Sequence, residues 1–244
     1  SLYEVFDSGR TAGLIHVRSE RGRWGLVEIC WALDLDMKVL GFHFQRCRDP
    51  QAKLLLASSF PEHIKGMGFE EMKAELESVQ AGDSIPAAQQ ALAATILRSG
   101  LKTIALTEDV WGQELRQMRA VARAHEIFGV DVSVKKRDVE PQEAVDIGFK
   151  LEFQSEWKVS GAQDELRGTL ILTLIELPGF ERDLWWAIDS DGRLKRVIPQ
   201  GGWLDERASE AFSQLESRRI TDFSDCATAA ELAAEAVLGK QDSP

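Results

Sequence analysis

The strongest constraint on what this chain can fold into is a pattern that occurs twice. Trp31-Ala32-Leu33-Asp34-Leu35-Asp36-Met37-Lys38-Val39 returns as Trp186-Ala187-Ile188-Asp189-Ser190-Asp191-Gly192-Arg193-Leu194, an offset of 155 residues from Trp31 to Trp186. Every position keeps its character except Leu35/Ser190 and Met37/Gly192. A Leu-Glu-Ser follows in each half (Leu76-Glu77-Ser78, Leu215-Glu216-Ser217), then an Ala-Thr in an Ala-rich stretch (Ala94-Thr95, Ala227-Thr228). Similar residues in one order at this distance point to a duplicated unit. The period far exceeds that of solenoid repeats, so the expectation is two related domains in tandem. A length of 244 residues gives each of them room for a core.

Local periodicity predicts the content of each unit. Residues 13–18, 25–33 and 39–44 read as strands joined by polar turns, and 169–177, 183–188 and 194–198 repeat that meander. Asp189-Ser190-Asp191-Gly192 is a turn signal, since glycine takes positive φ at no steric cost. It lacks the ligands of a calcium loop, with Gln200 where an EF-hand has its glutamate. Each half then changes to helical spacing: Phe69, Met72 and Leu76 share a face, as do Ala208, Ala211, Phe212 and Leu215. An Ala-rich helix is predicted from Pro86 to about Ile104, and its counterpart over 227–238, with Leu232, Ala236 and Val237 facing inward. Between the halves, Thr107 opens a third helix with Glu108 and Asp109 in its first turn, a buried stripe of Trp111, Leu115, Met118 and Ala122, and Gly129 at its end. The polar stretch 138–146 around Pro141 reads as a short helix or loop.

Composition narrows the functional classes. A formal charge of −11 disfavours a nucleic-acid partner, because a phosphate backbone would be repelled. The one basic run, Lys135-Lys136-Arg137, reads as a solvated strand end or loop. No run reaches the roughly 18 apolar residues of a membrane span. Cys30, Cys47 and Cys226 lack metal or disulfide spacing, and Cys30 reads as inert core. No paired-carboxylate spacing, Ser/His/Asp set, P-loop or GxGxxG is present.

Candidate chemistry concentrates at the starts of the Ala-rich helices, where free amides and the dipole suit a phosphate. The second copy reads Asp222-Phe223-Ser224-Asp225-Cys226-Ala227-Thr228, the first Gln89-Gln90-Ala91-Leu92-Ala93-Ala94-Thr95. With Trp24-Gly25, the turn and strand over 34–41, and Arg48-Asp49-Pro50 in the place of a Glu-Thr-Pro loop, the chain resembles the FMN-binding domain family. That family occurs in the G subunit of Rnf complexes, the C subunit of sodium-pumping NADH:quinone reductases and NosR-type regulators. The resemblance spans about residues 8–105 and, more weakly, 165–238. It implies FMN as cofactor, electron transfer to a membrane-associated redox protein or complex, and an extracytoplasmic location. Carried over by position, it implies a cofactor site of Asp222, Asp225, Cys226, Ala227 and Thr228, with Thr95 and Pro50 in the first copy. The flavin-bearing threonine would be Thr228, or Thr95 in the first copy.

The motif departs from the family where phosphate would sit. Cys226 replaces its glycine and Asp225 its Ser/Thr, while Gln89 and Ala93 replace the first copy's Asp and Gly. For each residue a plainer account stands beside the functional one. Thr95 is a tolerated helical residue; Asp222, Ser224 and Asp225 are ordinary caps; His43 and Cys47 are a polar strand end. One of Trp185 and Trp186 is core, the other exposed or at an interface, since neighbours on a strand face opposite ways. The expected architecture is α+β, two related units each with a twisted antiparallel sheet flanked by helices: 1–106, a connecting helix 107–129, and 130–244. The two functional expectations are an FMN electron-transfer module and a flavin-free relative acting as a ligand-binding or interaction scaffold.

Overall fold

Along Gly25–Leu33 the side chains of Val27, Ile29, Trp31 and Leu33 are buried while those between them are not, the two-residue period of a strand with one face on a core. The computed structural model describes residues 2–7, 10–82, 85–139, 145–146, 150–177, 180–202 and 206–238. Pro141, and the side chains of Ala208, Ala236 and Val237, lie outside what is described. The chain is α+β and divides into two compact units, Ser1–Met118 and Arg119–Pro244.

In the first unit β1 (Leu2–Asp7), β2 (Arg10–Gly22), β3 (Gly25–Leu33) and β4 (Val39–Arg46) form an antiparallel sheet in sequence order. Helices α1 (Ala52–Leu56), α2 (Phe60–His63) and α3 (Phe69–Ala81) follow, then α4 (Ala87–Phe128), whose residues from Arg119 onward belong to the second unit. Leu14, Ile29, Trp31 and Leu33 pack with Met72 of α3 and Leu92, Ile96, Leu97 and Ile104 of α4. The Trp31 indole N–H, shut away from water, donates to Ser99 Oγ at 3.1 Å, which satisfies a polar group that would otherwise be costly to bury.

The helix expected to start at Thr107 does not start there. Backbone helix runs from Ala87 to Phe128, and its break lies at Trp111 (φ −115°, ψ 17°). Thr107 Oγ1 donates back to the Thr103 carbonyl at 2.7 Å, which serves the preceding turn instead of capping a new one. The break also spoils the predicted stripe. Trp111 is 40% exposed and Ala122 half-buried, whereas Leu115, Ala120 and Ala124 are buried.

The second unit contains β5 (Ser133–Arg137), β6 (Val145–Asp146), β7 (Lys150–Ser160), β8 (Leu166–Leu177), β9 (Phe180–Asp189) and β10 (Leu194–Pro199). They pair antiparallel in the order β10-β9-β8-β7-β5, with β6 also against β7. Helices α5 (Glu206–Ser213) and α6 (Phe223–Leu238) follow. Here both faces of the sheet are covered. Trp186, Ile171 and Ile188 meet Phe212 of α5 and Phe223, Cys226 and Ala230 of α6. Trp185, Trp157, Leu170 and Leu172 meet Ala120 and Ala124 at the end of α4. Trp185 and Trp186 do point to opposite faces, yet both are fully buried. Their N–H groups donate to Gln200 Oε1 and Thr173 Oγ1, each at 2.9 Å. Leu232, expected inside, is 37% exposed. Lys135, Lys136 and Arg137 are exposed on β5, with Arg137 paired to Glu156.

The duplication is visible bond by bond in the turns. Asp34 Oδ1 accepts the Asp36 and Lys38 amides at 2.9 and 2.8 Å; Asp189 Oδ1 accepts those of Asp191 and Arg193 at 3.0 and 2.8 Å. Each turn closes with the same pair of backbone bonds, Asp34 N to Lys38 O and Met37 N to Asp34 O, Asp189 N to Arg193 O and Gly192 N to Asp189 O. Met37 and Gly192 both hold positive φ, 61° and 77°. Gly13 and Gly168 are a further match at the same offset. A Cβ on Gly13 would lie 2.4 Å from the Leu33 carbonyl oxygen, and one on Gly168 would lie 2.2 Å from that of Ile188.

Beyond the meander the sequence alignment is corrected. The strand after the turn is met by a returning segment: Val39 N bonds Met67 O and Gly66 N bonds Val39 O, while Leu194 N bonds Arg218 O and Ser217 N bonds Leu194 O. Ser217 (φ 71°) therefore matches Gly66 (φ 79°), not Ser78, which lies inside α3. Likewise Ala94-Thr95 lies within α4, whereas Ala227-Thr228 lies in the first turns of α6.

Candidate functional site

The start of α6 carries the residues expected to hold a phosphate. It forms because Asp222 caps it: Asp222 Oδ1 accepts the Asp225 amide at 3.2 Å, and Asp222 O accepts the Cys226 amide at 3.3 Å. Asp225 reaches back, accepting the Thr221 amide and hydroxyl, both at 2.7 Å. Those two bonds hold the Asp225 carboxyl below the usual carboxylate range, with the Arg219 charge adding to them. The positive end of the helix is thus met by two carboxylates of its own chain.

The remaining motif residues are placed as follows. Cys226 and Ala227 are buried against the sheet, and burial pushes the Cys226 thiol far up, so it stays protonated and unreactive. Thr228 is exposed, its Oγ1 donating to the Ser224 carbonyl at 3.1 Å. Thr95 is 2% exposed and donates to the Ala91 carbonyl at 2.8 Å. Pro50 is exposed in a loop tied by Asp49, whose Oδ1 accepts the Gln51 amide at 2.9 Å. His43 is exposed and Cys47 half-buried, with burial raising the Cys47 thiol. Cys30, read as core, is half-buried on the face opposite Trp31. The structure brings Asp222, Asp225, Cys226, Ala227 and Thr228 together. Thr95 and Pro50 join no such arrangement: one is sealed in a helix, the other lies on a surface loop.

A phosphate needs donors, and the groups that crown α6 are acceptors. The amide of Asp225 is already bonded, and the Asp225 carboxylate, held below its usual range, repels a dianion. The residues present do not fit the cofactor phosphate. The two tryptophans that could have stacked on a flavin ring are covered on both faces of their sheet.

Sequence reading missed a cleft in the first unit. About 590 Å³ in volume, it is lined by Ser59 and His63 of the α2 segment, Glu75 of α3, and Ile85, Pro86 and Gln89 at the start of α4. His63 Nε2 lies 3.0 Å from Glu75 Oε2. The Glu75 side chain is 11% exposed. Its other oxygen, Oε1, is buried and has no hydrogen-bond partner among the described residues. The second unit has a cleft of about 520 Å³ between α5 and α6, touching Ala211, Leu215, Arg218 and Leu232. The only signal in the sequence was a histidine twelve residues before a glutamate, which no motif distinguishes. Among the described residues no group of three or more His, Cys, Asp or Glu is placed to hold a metal ion, and no helix is long and apolar enough to cross a membrane.

Compared with protein-family models, curated proteins and solved structures, the chain matches none.

Proposed function

We propose that this chain works without a flavin, as a ligand-binding module built from two related units. The observation that carries this reading is the acid-filled start of α6, where Asp222 and Asp225 occupy the positive end that a flavin phosphate would need. A binding role is supported by the clefts beside the helices that follow each meander.

The test is direct. Purified protein mixed with FMN and then dialysed should be colourless and show no flavin fluorescence. Yellow colour that stays with the chain through denaturation, and that Thr228→Ala abolishes, would overturn the proposal. That result would favour a second reading, an extracytoplasmic FMN module passing electrons to a membrane-associated redox partner. One observation speaks for the second reading: Thr228 presents an exposed hydroxyl close to the start of α6.

A further inference from the structure

We propose that the sheet face bearing Ile15 and Cys30, opposite the core of the first unit, docks an amphipathic helix of a partner protein. That helix carries large apolar residues at i and i+4 and acidic residues along its flank. The inference goes beyond the ligand-binding reading and stands whether or not that reading does.

The argument rests on the duplication, because register aligns the two sheets position by position. Ile15 and Val17 lie beside Ala32 and Cys30 as Leu170 and Leu172 lie beside Ala187 and Trp185. Tyr3 pairs with Ile15 as Trp157 pairs with Leu170, and the same bulge follows, after Val5 in β1 and after Val159 in β7. In the second unit this face is closed. Trp157, Leu170, Leu172, Trp185 and Ala187 are buried with Ala120 and Ala124, which sit one turn apart at the end of α4. In the first unit every counterpart is apolar, yet none joins a buried cluster. Ile15, Val17, Cys30 and Ala32 are half-buried, and Tyr3, Phe6 and Leu26, on the same side by register, are each more than half exposed. A contiguous apolar face of this kind marks an interaction surface.

The closed counterpart identifies the occupant, since there the matching face already receives a helix. Side-chain volume sets its apolar residues. Tyr3 and Cys30 stand where Trp157 and Trp185 fill the second face with rings 5.2 Å apart. The first face is thus shallower in side chains, and leucine, methionine or phenylalanine fits where Ala120 and Ala124 fit the other. Charge sets the flank. The end of α4 is tied to the sheet by Glu126, which meets Arg196 of β10 at 2.9 Å. On the open face Glu28 is met by Arg46 at 3.7 Å, which leaves the exposed Arg21 as the unbalanced charge and favours an acidic flank.

The experiment titrates the full ¹⁵N-labelled chain with three helical peptides of about 18 residues, five turns each. One has a leucine stripe and glutamate flanks, one has its leucines replaced by alanine, and one has its glutamates replaced by lysine. The first should give saturable shifts at amides of Tyr3, Ile15, Val17, Cys30 and Ala32, while those of Leu170, Leu172 and Trp185 stay still. It should bind about tenfold or more tightly than either relative. Val17→Glu, at a half-buried position, should weaken it about as much. Absence of saturable shifts, shifts confined to other surfaces, equally tight binding by either relative, or unchanged binding in Val17→Glu would each overturn the proposal. Two further results would overturn it by naming another occupant. A dimer in sedimentation that Val17→Glu dissociates would assign the face to a second copy. Shifts at the same amides with phosphatidylglycerol vesicles but not with the peptide would assign it to a lipid surface. The peptide series on the unaltered chain decides the matter even where the variant does not fold.

Discussion

The two Asp-centred turns share a backbone and differ in what they do with it. Asp34 and Asp189 make the same bonds at matched distances. The position of positive φ is Gly192 in one and Met37 in the other. Glycine takes that conformation freely. Met37 accepts the strain and, at 3% exposure, buries its side chain in the core of its unit. The difference teaches that the hydrogen-bonded frame fixes the turn, while the residue at the strained position is set by what lies beside it. A similar contrast runs through the sheets. The register that sets His16 beside Trp31 sets Ile171 beside Trp186.

The largest effects should come from the matched glycines. Gly168→Ala places a Cβ 2.2 Å from a carbonyl oxygen and 2.5 Å from the Phe128 ring, and should cost about 3 kcal/mol or more in denaturant unfolding. Gly13→Ala meets the backbone alone and should cost about 1–3 kcal/mol. A large loss at Gly168 with none at Gly13 would break the equivalence of the two strands. Next, Asp34→Ala and Asp189→Ala each remove an acceptor of two amides and should each cost about 1–3 kcal/mol, read from the same curves. A loss in only one would mean that one turn is held by its neighbours. Smaller still, Ser217→Gly should stabilise by roughly 0.5–1 kcal/mol and Gly66→Ala should destabilise by a similar amount, since both sites hold positive φ.

The mildest test is a pH profile. Burial, with the Arg18 charge adding to it, lowers the His16 pKa from its ordinary 6.5. Its hydrogen-bond role agrees: Thr107 Oγ1 spends its proton on Thr103, so His16 Nδ1 donates to Thr107 Oγ1 at 3.2 Å. The unfolded chain takes the proton first, so stability is present in full above 6.5 and falls as pH drops through that value. Amide protection in β2, taken relative to intrinsic exchange, should fall over that range, and His16→Ile, which imports the second unit's residue, should flatten the response. An unchanged slope would assign it elsewhere.

Much of this was legible in the residues. Strand alternation, the Asp turns and the α+β class follow from short-range periodicity and turn chemistry, which act within a few residues. The helix break was misplaced because Thr107 with Glu108 and Asp109 makes a cap signature locally, while the bonds of Ser99 with Trp31 of β3 and of Thr107 with His16 of β2 carry the helix through. The expected cofactor residues at α6 do gather, since they are consecutive in the chain. Thr95, the first copy's candidate, lies inside α4 and not at a helix start, because an Ala-Thr pair reads the same in the middle of a helix as at its start.

By itself, then, the sequence determined that there are two units, because a repeated order of residues is written in the chain, and where their strands turn, because the turns rest on bonds between near neighbours. The tertiary structure alone decided that both Trp185 and Trp186 are core, that Ser217 answers to Gly66, and that His63 meets Glu75. Those facts depend on which faces are covered and which distant segments return to a strand edge, and side chains brought together by packing carry no spacing that a linear chain can display.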